Sequence, residues 1–365
     1  METFPNFHIP STVETPSICI DYNRMEQNIH RMASGLAANG VTFRPHVKSH
    51  KSLNVARRQI EAGAIGLTAA TISEAEVFVE GGFDNVFIAY PLWLTDAKAA
   101  RVRRMLENAS VAVGVSSVEG ARNLVARLGG AEGLHVIIEV DSGEIRTGVM
   151  SPDGAVEVAE VIAASRLNVA GVFTHGGHSY ACADAVSGAA SDEARCLLDA
   201  AEALRSAGHV VDVVSAGSTP TALVSSVPGI TEERPGTFVF GDCQQVALGA
   251  QPVDSVALFV ATTVVQVSNG QFVLDAGGKV FTKDLPKTVE GFGALPAYPE
   301  ARIERMFDHH AVVINAPSMP RVGDKLAVIP NHVCPVSNLT DEFVILGSDG
   351  EEIDRWNVDA RVRNQ

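Results

Sequence analysis

Residues 42–51 read TFRPHVKSHK, and this stretch decides between the two folds that the rest of the sequence allows. A strand-like start is stopped by Arg44-Pro45, and four potential cations follow within six residues: His46, Lys48, His50 and Lys51. On an extended chain, Lys48 would share one face with His46 and His50. Such crowding is useful where one amine must be neutral and nucleophilic, because neighbouring cations and partial burial both disfavour an ammonium group. A solvated basic turn is the alternative for this segment by itself.

Short apolar segments alternate with segments of helical composition on both sides of this stretch. The predicted strands are 42–47, 64–70, 85–90, 111–116, 134–140, 169–174, 210–215 and 237–241. Eight such strands with intervening helices predict a (β/α)8 TIM-type barrel in the α/β class. An open doubly wound sheet would carry a glycine-rich phosphate turn after its first strand. Because HVKSHK stands there instead, the barrel is preferred.

The pattern changes near Gly249, where the helical segments end. The stretch from Val256, VALFVATTVVQVSNGQFVLDAGGK, is typical of a strand, an Asn-Gly turn and a second strand. Further short strands follow, with no long helix between them. We therefore predict a barrel over residues 22–248 and a C-terminal all-β domain over residues 249–365, with residues 1–21 packing on the β domain.

The composition narrows the class of protein. The chain has 365 residues, a hydrophobic fraction of 46% and a formal net charge of −15, which argues against a nucleic-acid partner or an anionic membrane. Its five cysteines are scattered without a CxxC pair, which suits reduced thiols in a cytoplasm. No stretch reads as a signal peptide or reaches transmembrane length. We expect a soluble, cytoplasmic protein with a small-molecule substrate.

Unusual polar residues follow the predicted strands directly, at the end of the barrel where functional groups lie. They are Lys48 after the first strand, Asp141-Ser142-Gly143 and Arg146 after the fifth, His175, His178 and Tyr180 after the sixth, AGSTPT (216–221) after the seventh, and Asp242 after the eighth. Arg146 could pair with a carboxylate or phenolate, or form a salt bridge with Glu144 or Asp141. His175 by itself would be a structural histidine, but His178 and Tyr180 beside it favour a site.

The AGSTPT segment is suited to a phosphate group. Its glycine permits close backbone approach, and hydroxyl and backbone N–H groups can donate hydrogen bonds. It lacks the spacing of a nucleotide-binding P-loop, so a smaller phosphate ester is favoured, with a plain loop as the alternative. One amine and one phosphate site in a barrel predict pyridoxal 5′-phosphate (PLP) attached to a lysine. Lys48 is the candidate, and Lys51 and Lys279 are its rivals.

A second cluster, NHVCP, contains His332 and Cys334. On an extended segment, both side chains would lie on one face and could reach one ion. Thiolate and imidazole together suit Zn²⁺, and two protein ligands would leave positions for water or substrate. A second group of potential ligands, Asp308-His309-His310, lies upstream. A buried cysteine with an incidental histidine is the alternative.

Seven segments, in chain order, resemble the D-threonine aldolase/D-serine dehydratase family of fold-type III PLP enzymes, which are built like alanine racemase. The segments are RPHVKSHK, DSGEIRTGV, THGGHSY, AGSTPT, RPGTFVFGD, DAGGK and PNHVCPVSNL. The resemblance implies that Lys48 carries PLP and removes the substrate's α-proton. It implies a cofactor site in which Arg146 lies near the phenolic oxygen, His175 lies against the ring and Tyr180 lines the site. It also implies that Arg234 meets the pyridine nitrogen. The residues implied around the phosphate are Ser215, Gly217, Ser218 and Thr219.

The resemblance also implies a divalent metal on His332 and Cys334, Zn²⁺ or alternatively Mn²⁺, and a head-to-tail homodimer. Within the family, the metal site of the dehydratases resembles a His-x-Cys pattern, and that of the aldolases resembles a His-x-Asp pattern. Cys334 therefore favours a dehydratase, closest to D-serine dehydratase. Residues 307–311 read FDHHA where relatives often have Glu-Glu-His-Gly, a departure that could change substrate choice or mechanism.

The function expected from this resemblance is dehydration and deamination of D-serine or a related 3-hydroxy-D-amino acid. The first alternative is D-threonine-type aldol cleavage, with His175 or His178 as the base that takes the hydroxyl proton. A racemase, a non-catalytic PLP-binding protein and a metal-free sugar-phosphate enzyme are weaker alternatives.

Overall fold

The computed structural model describes residues 3–365, and the chain divides into two compact units. The barrel unit comprises Met32–Lys48, Ala56–Gly236 and Arg363–Gln365. The β unit comprises the described residues up to Arg31, together with Ser49–Val55 and Thr237–Val362. Each unit is therefore assembled from three separate stretches of chain.

The helices and strands are numbered in chain order. The first part of the chain contains β1 (Ser17–Asp21), α1 (Tyr22–Ala38), β2 (Thr42–Phe43), α2 (Leu53–Glu61), β3 (Leu67–Ala69), α3 (Ile72–Glu80), β4 (Asn85–Ile88), α4 (Asp96–Leu106), β5 (Ser110–Val115), α5 (Val118–Leu128), β6 (Leu134–Glu139), α6 (Pro152–Ala163), β7 (Asn168–Phe173), α7 (Ala185–Ser206), β8 (Val213–Ala216), α8 (Ala222–Ser225) and β9 (Glu232–Glu233). The remainder contains α9 (Cys243–Ala247), β10 (Leu258–Ser268), β11 (Gln271–Leu274), α10 (Gly278–Phe281), β12 (Arg302–Met306), β13 (Ala311–Ile314), β14 (Lys325–Val328), α11 (Val333–Ser337), β15 (Glu342–Leu346) and β16 (Glu352–Asn357).

The barrel unit contains eight parallel strands. Their order is β2-β9-β8-β7-β6-β5-β4-β3. An isolated parallel bridge between His46 and Thr68 links the segment after β2 to β3, the two ends of this order. The predicted (β/α)8 barrel with a separate C-terminal β domain is confirmed. Because all eight strands run in the same direction, their carboxyl ends share one face of the barrel.

Local sequence explains where several barrel helices begin. The side-chain oxygens of Thr71, Thr95, Ser117 and Ser151 each accept a backbone N–H three residues on, at the starts of α3, α4, α5 and α6. These N-caps satisfy donors that a helix leaves open at its first turn. Inside the barrel, the rings of Phe87 and Phe173 pack edge to face with their centroids 5.1 Å apart.

Two local predictions in the barrel are wrong. The eighth strand is β9 and not 237–241, since Thr237–Val239 forms a 3-10 turn. Two glutamates fit in this buried strand because Glu232 accepts hydrogen bonds from Arg44 Nε at 2.5 Å and from the Ser215 hydroxyl at 2.6 Å. The extended chain predicted through His50 is also interrupted, because Val47–Ser49 is a 3-10 turn. The alternating face proposed for His46, Lys48 and His50 is therefore absent.

The β unit is built on a second eight-stranded sheet. Its main order is β12-β13-β11-β10-β1-β15-β16, and β14 pairs with β10. The N-terminal strand β1 pairs antiparallel with β10 and parallel with β15. The Asn269-Gly270 turn predicted from the sequence is confirmed, and both residues have positive φ, as a two-residue hairpin requires. Across residues 3–365, no helix combines the length and apolar composition that a membrane crossing needs.

Candidate active site

His175 is the centre of a cationic cluster in the barrel unit. It lies just after β7, and the charges of Lys48, Arg146 and Arg234 act on it. These residues follow β2, β6 and β9 respectively, so four separate strand ends contribute to the cluster. Burial and these three cations lower the pKa of His175 to about 3. The imidazole is therefore neutral at physiological pH, and four of the residues predicted for the cofactor site are brought together.

Arg234 is the most deeply buried cation of this cluster, with 4% of its surface exposed. Its guanidinium donates to the Ser215 hydroxyl and to the Thr174 carbonyl. It also lies 5.3 Å from the centroid of the Phe173 ring. Four buried acids balance its charge: Glu139, Glu193, Glu232 and Glu233. The position of Arg234 is thus fixed by charge, by hydrogen bonds and by aromatic packing.

Several polar groups of the predicted phosphate loop have hydrogen-bond partners inside the barrel unit. Ser218 and Thr219 are only 3% and 4% exposed. The Ser218 hydroxyl lies 3.0 Å from that of Thr221, and Thr219 Oγ1 accepts the Gly236 N–H at 3.3 Å. Ser215 bonds instead to Glu232 of the adjoining strand β9 and to Arg234, the residue that follows this strand. The loop is therefore buried and hydrogen-bonded, and the phosphate role of its residues remains a prediction.

The other predicted barrel residues lie on the loops after β6 and β7. The side chain of Arg146 is 56% exposed and pairs with Glu144 at 3.3 Å, which is the salt bridge that the sequence left open as an alternative. His178 Nε2 lies 3.6 Å from Asp192 Oδ2, and the Tyr180 ring centroid lies 6.3 Å from that of His175. His178 and Tyr180 lie in the 3-10 turn Gly177–Ala181, which begins two residues after His175.

The surroundings of three lysines distinguish Lys48 from its rivals. Lys51 is buried, and its Nζ donates to the Ala360 carbonyl at 3.3 Å. Lys279 is exposed, with its Nζ 3.4 Å from His309 Nε2. Both rivals belong to the β unit, whereas Lys48 belongs to the barrel unit and acts on His175. The structure therefore favours Lys48 as the amine of the cationic cluster.

His332 and Cys334 meet in the β unit, although not on an extended segment as predicted. Cys334 lies in the first turn of α11, and His332 is the residue that precedes this helix. Even so, the two side chains are hydrogen-bonded to each other. His332 Nδ1 lies 2.8 Å from Asp284 Oδ2, and the Ser49 hydroxyl lies 3.2 Å from Cys334 Sγ. Burial opposes a charge on His332, but Cys334, Asp242 and Asp284 together raise its pKa to about 10.

This donor set fits a divalent metal that is only partly ligated by protein. Metal-binding histidines commonly use their second ring nitrogen to contact a carboxylate, as His332 contacts Asp284. Within residues 3–365, no group of three His, Cys, Asp or Glu side chains is arranged to hold an ion. The chain would thus supply two ligands, His332 and Cys334, and leave the other positions to water or substrate.

The Asp308-His309-His310 segment does not join His332 and Cys334 in such a group. It forms a turn that packs on Gly277-Gly278-Lys279 instead. The Gly278 and Lys279 N–H groups donate to the carbonyls of Phe307 and Asp308, at 2.6 and 3.0 Å. The side chains of these three turn residues are exposed.

The barrel cluster fits PLP by the chemistry of its donors. An amine, a neutral imidazole, a buried guanidinium and a hydroxyl-bearing loop match a ligand with an aldehyde, an aromatic ring and a phosphate. The acids that hold these groups, including Glu193 and Glu233, were missed from the sequence because glutamates usually lie at the surface. The one available signal was the glycines of HGG and AGS, which indicate close backbone approach.

Two family profiles match the chain. The one described as the alanine racemase N-terminal domain matches residues 20–244, and a putative serine dehydratase domain matches residues 257–346. D-threo-3-hydroxyaspartate dehydratase of Delftia sp. (strain HT23) is 34% identical, over 94% of this chain and 97% of its own length. D-threonine aldolase of Arthrobacter sp. is 29% identical, over 96% of this chain and 93% of its own.

A solved structure shows the same fold. It is a cysteine-to-alanine variant of D-threo-3-hydroxyaspartate dehydratase in a metal-free form. Its TM-score to this chain is 0.89 at 30% identity, covering 97% of this chain and 99% of that chain. The similarity therefore extends over both units and is not limited to the barrel.

Proposed function

This chain belongs to the alanine racemase-like family of fold-type III PLP enzymes, and we propose that it is a lyase that dehydrates and deaminates a 3-hydroxy-D-amino acid. The products would be a 2-keto acid and ammonia. The observation that carries the proposal is the end-to-end 34% identity to D-threo-3-hydroxyaspartate dehydratase. The pairing of His332 with Cys334 supports it, because the His-x-Cys pattern resembles the dehydratases of the family.

Lys48, His175 and Arg234 of the barrel unit would each have a different role in the proposed reaction. When bound, PLP supplies an electron sink for the charge that develops at the substrate's α-carbon. Lys48 would hold the cofactor, and its amine would be the base that takes the substrate's α-proton. Neutral His175 would lie against the cofactor ring without adding positive charge. Arg234, anchored by Ser215 and Thr174, keeps a hydrogen-bond donor fixed in the barrel.

His332 and Cys334 would hold the metal of the proposed reaction. A divalent ion on these two residues would supply Lewis acidity toward the hydroxyl that leaves. Zn²⁺ suits thiolate and imidazole best, and Mn²⁺ is the alternative. Asp284, bonded to His332 Nδ1, would orient the imidazole toward the ion.

Product identity tests the reaction. We expect keto acid and ammonia from D-serine or D-threo-3-hydroxyaspartate in the presence of zinc, and loss of turnover with retention of PLP after chelation. Glycine and an aldehyde from any of these substrates, or from D-threonine, would assign the chain to the aldolases instead. Absence of both product pairs from all three substrates would contradict a lyase of this class.

Replacement of the candidate lysine tests the cofactor site. Lys48→Ala should remove the visible absorbance band of lysine-bound PLP, and borohydride reduction should label the peptide that contains residue 48 in the wild type. Lys279→Ala is the matched control, because Lys279 is an exposed lysine of the β unit, and it should keep the band. Persistence of the band in Lys48→Ala would move the assignment to another lysine.

Aldol cleavage is the second candidate, favoured by the 29% identity to D-threonine aldolase over 96% of the chain. It needs a base for the hydroxyl proton. A pKa near 3 makes His175 a weak base, so His178, 3.6 Å from Asp192, would be the better candidate.

A further inference from the structure

Glu193 hydrogen-bonds to two loops of the barrel unit, the one after β7 and the one after β8. It lies on α7, is fully buried, and belongs to none of the sequence motifs. Its Oε1 accepts the N–H of Gly176 at 2.8 Å and the N–H of Gly217 at 3.1 Å. Gly176 follows His175, and Gly217 is the second residue of the AGSTPT loop. A single carboxylate oxygen therefore connects the loop after β7 to the loop after β8.

The same two loops determine where the His175 ring lies. The ring is hydrogen-bonded to the backbone of Gly217. Glu193 thus holds both the peptide that follows His175 and the residue that the His175 ring contacts. Movement of this carboxylate would therefore shift both the backbone next to His175 and the Gly217 backbone that the imidazole contacts.

The two glycines are required by the buried acids. A Cβ at Gly176 would lie 2.5 Å from Glu193 Cδ, and one at Gly217 would lie 2.2 Å from Glu233 Oε2. Gly217 also has a φ of 110°, which side-chain-bearing residues rarely adopt. The glycines of HGG and AGS therefore allow carboxylates to approach the backbone of each loop.

Glu193 and Glu233 form an acid pair whose charge is reduced by their surroundings. Glu233 Oε1 accepts the Ser225 hydroxyl at 2.7 Å, while its Oε2 has no hydrogen-bond partner within residues 3–365. Burial and the charge of Glu193 raise the pKa of Glu233 well above its usual range, and burial also raises the pKa of Glu193. An acid pair with less than its full negative charge can support a loop for an anionic ligand with less repulsion.

We propose that Glu193 is a positioning residue that sets the His175 ring and the 216–221 loop in the arrangement that accepts PLP. This inference rests on the proposed PLP function. It adds a residue of α7, outside all the strand-end motifs, to the determinants of cofactor binding.

Amide hydrogen exchange of the cofactor-free protein tests the contact itself. In Glu193→Ala, the Gly176 and Gly217 amides should exchange at least ~10-fold faster than in the wild type. Glu193→Gln should keep their protection, because its amide oxygen can accept both bonds. Leu197→Ala is the matched control, because it removes a fully buried side chain one turn along α7 without touching the contact. In this variant, the Gly176 and Gly217 amides should lose no more protection from exchange than the amides next to them. Equal exchange in Glu193→Ala and the wild type would overturn the inference.

Titration with PLP tests the consequence for the cofactor. Glu193→Ala should raise the apparent Kd for PLP by about 10-fold or more, whereas Glu193→Gln should stay within about threefold. If Glu193→Ala does not fold, Glu193→Asp replaces it: the shorter carboxylate keeps the charge but cannot reach both amides, so it should also weaken binding. Rescue by Gln and not by Asp would support positioning by geometry.

The outcomes separate this inference from the proposed function. If the wild type forms no lysine-bound PLP, the proposed function fails, and the exchange data still decide whether Glu193 holds the loops. If the wild type binds PLP and Glu193→Ala or Glu193→Asp binds it equally well, the positioning role fails while the proposed function stands.

Discussion

The cationic cluster of the barrel unit and the His332–Cys334 pair of the β unit are built in different ways. The cluster draws Lys48, Arg146, His175 and Arg234 from four separate strand ends, and buried acids hold it in place. His332 and Cys334 are two residues apart, at the start of one short helix. The carboxylate that contacts His332 belongs to Asp284, whose side chain is 42% exposed. The cluster therefore depends on closure of the whole barrel, and the pair depends on local structure.

This difference determines how each region should respond to substitution. A buried network leaves uncompensated charge when one member is removed, so its loss should lower the stability of the protein. A half-exposed pair can be rehydrated, so its loss should affect ligand binding more than folding. The predictions below test this distinction, from the largest expected effect to the smallest.

Arg234→Met should lower the free energy of unfolding by about 3–5 kcal/mol, because buried Glu232, Glu233 and Glu193 would lose their counter-charge. Urea denaturation of the cofactor-free protein measures the change. Arg355→Met is the control, since Arg355 pairs with Glu342 and Glu352 at the surface and should contribute less than about 1 kcal/mol. Similar losses for the two variants would show that the barrel cluster is not a buried ionic network.

The strand-end rule located much of the barrel site from sequence. Lys48, Arg146 and His175 were predicted because each follows an apolar segment, and parallel strands bring such residues to one face. The order of motifs also indicated the family, and the family profiles confirm that resemblance. The grouping of these residues and the family resemblance could be inferred because both depend on strand direction and order, which a hydrophobic pattern records; the roles of the residues stay predictions.

The parts that sequence could not supply depend on long-range partners. The sequence predicted the eighth strand at 237–241, but Glu232-Glu233 is the strand, since Arg44, Ser215 and Arg234 lie around these glutamates. Glu193 lies in a segment that reads as an ordinary charged helix, and nothing local records the two amides that it binds. The sequence correctly grouped His332 with Cys334, but it predicted an extended backbone where Cys334 lies in a helix. This helix, α11, is only five residues long, so its sequence carries little helical pattern.

The neutral state of His175 predicts that the barrel cluster loses stability as the pH falls. Below an unfolded-state pKa of about 6.5, the unfolded chain gains a proton at His175, while the native imidazole stays neutral until about pH 3. Stability from this group is therefore present above pH 6.5 and lost as the pH falls. His175→Gln removes the effect, so its stability relative to the wild type should rise by about 2 kcal/mol between pH 7 and pH 4.5.

Urea denaturation of the cofactor-free proteins at both pH values measures this change. His209→Gln is the control, because His209 lies just after α7, is only partly buried and does not belong to the cationic cluster. If His175→Gln and His209→Gln show the same pH dependence relative to the wild type, burial and the neighbouring cations do not keep His175 neutral.

Asp284→Asn should weaken metal binding with little change in folding. The asparagine can still contact His332 Nδ1, but it lacks the charge that makes the imidazole a stronger ligand, so we expect about tenfold lower Zn²⁺ affinity. Competition with a coloured zinc chelator measures the affinity, and urea denaturation of the metal-free protein should show a change below about 1 kcal/mol. Asp308→Asn is the control, because this exposed acid belongs to the turn on Gly277-Gly278-Lys279. If Asp284→Asn lowered stability as much as Arg234→Met and left zinc affinity unchanged, then the contact to His332 would serve folding, and the contrast between the two regions would fail.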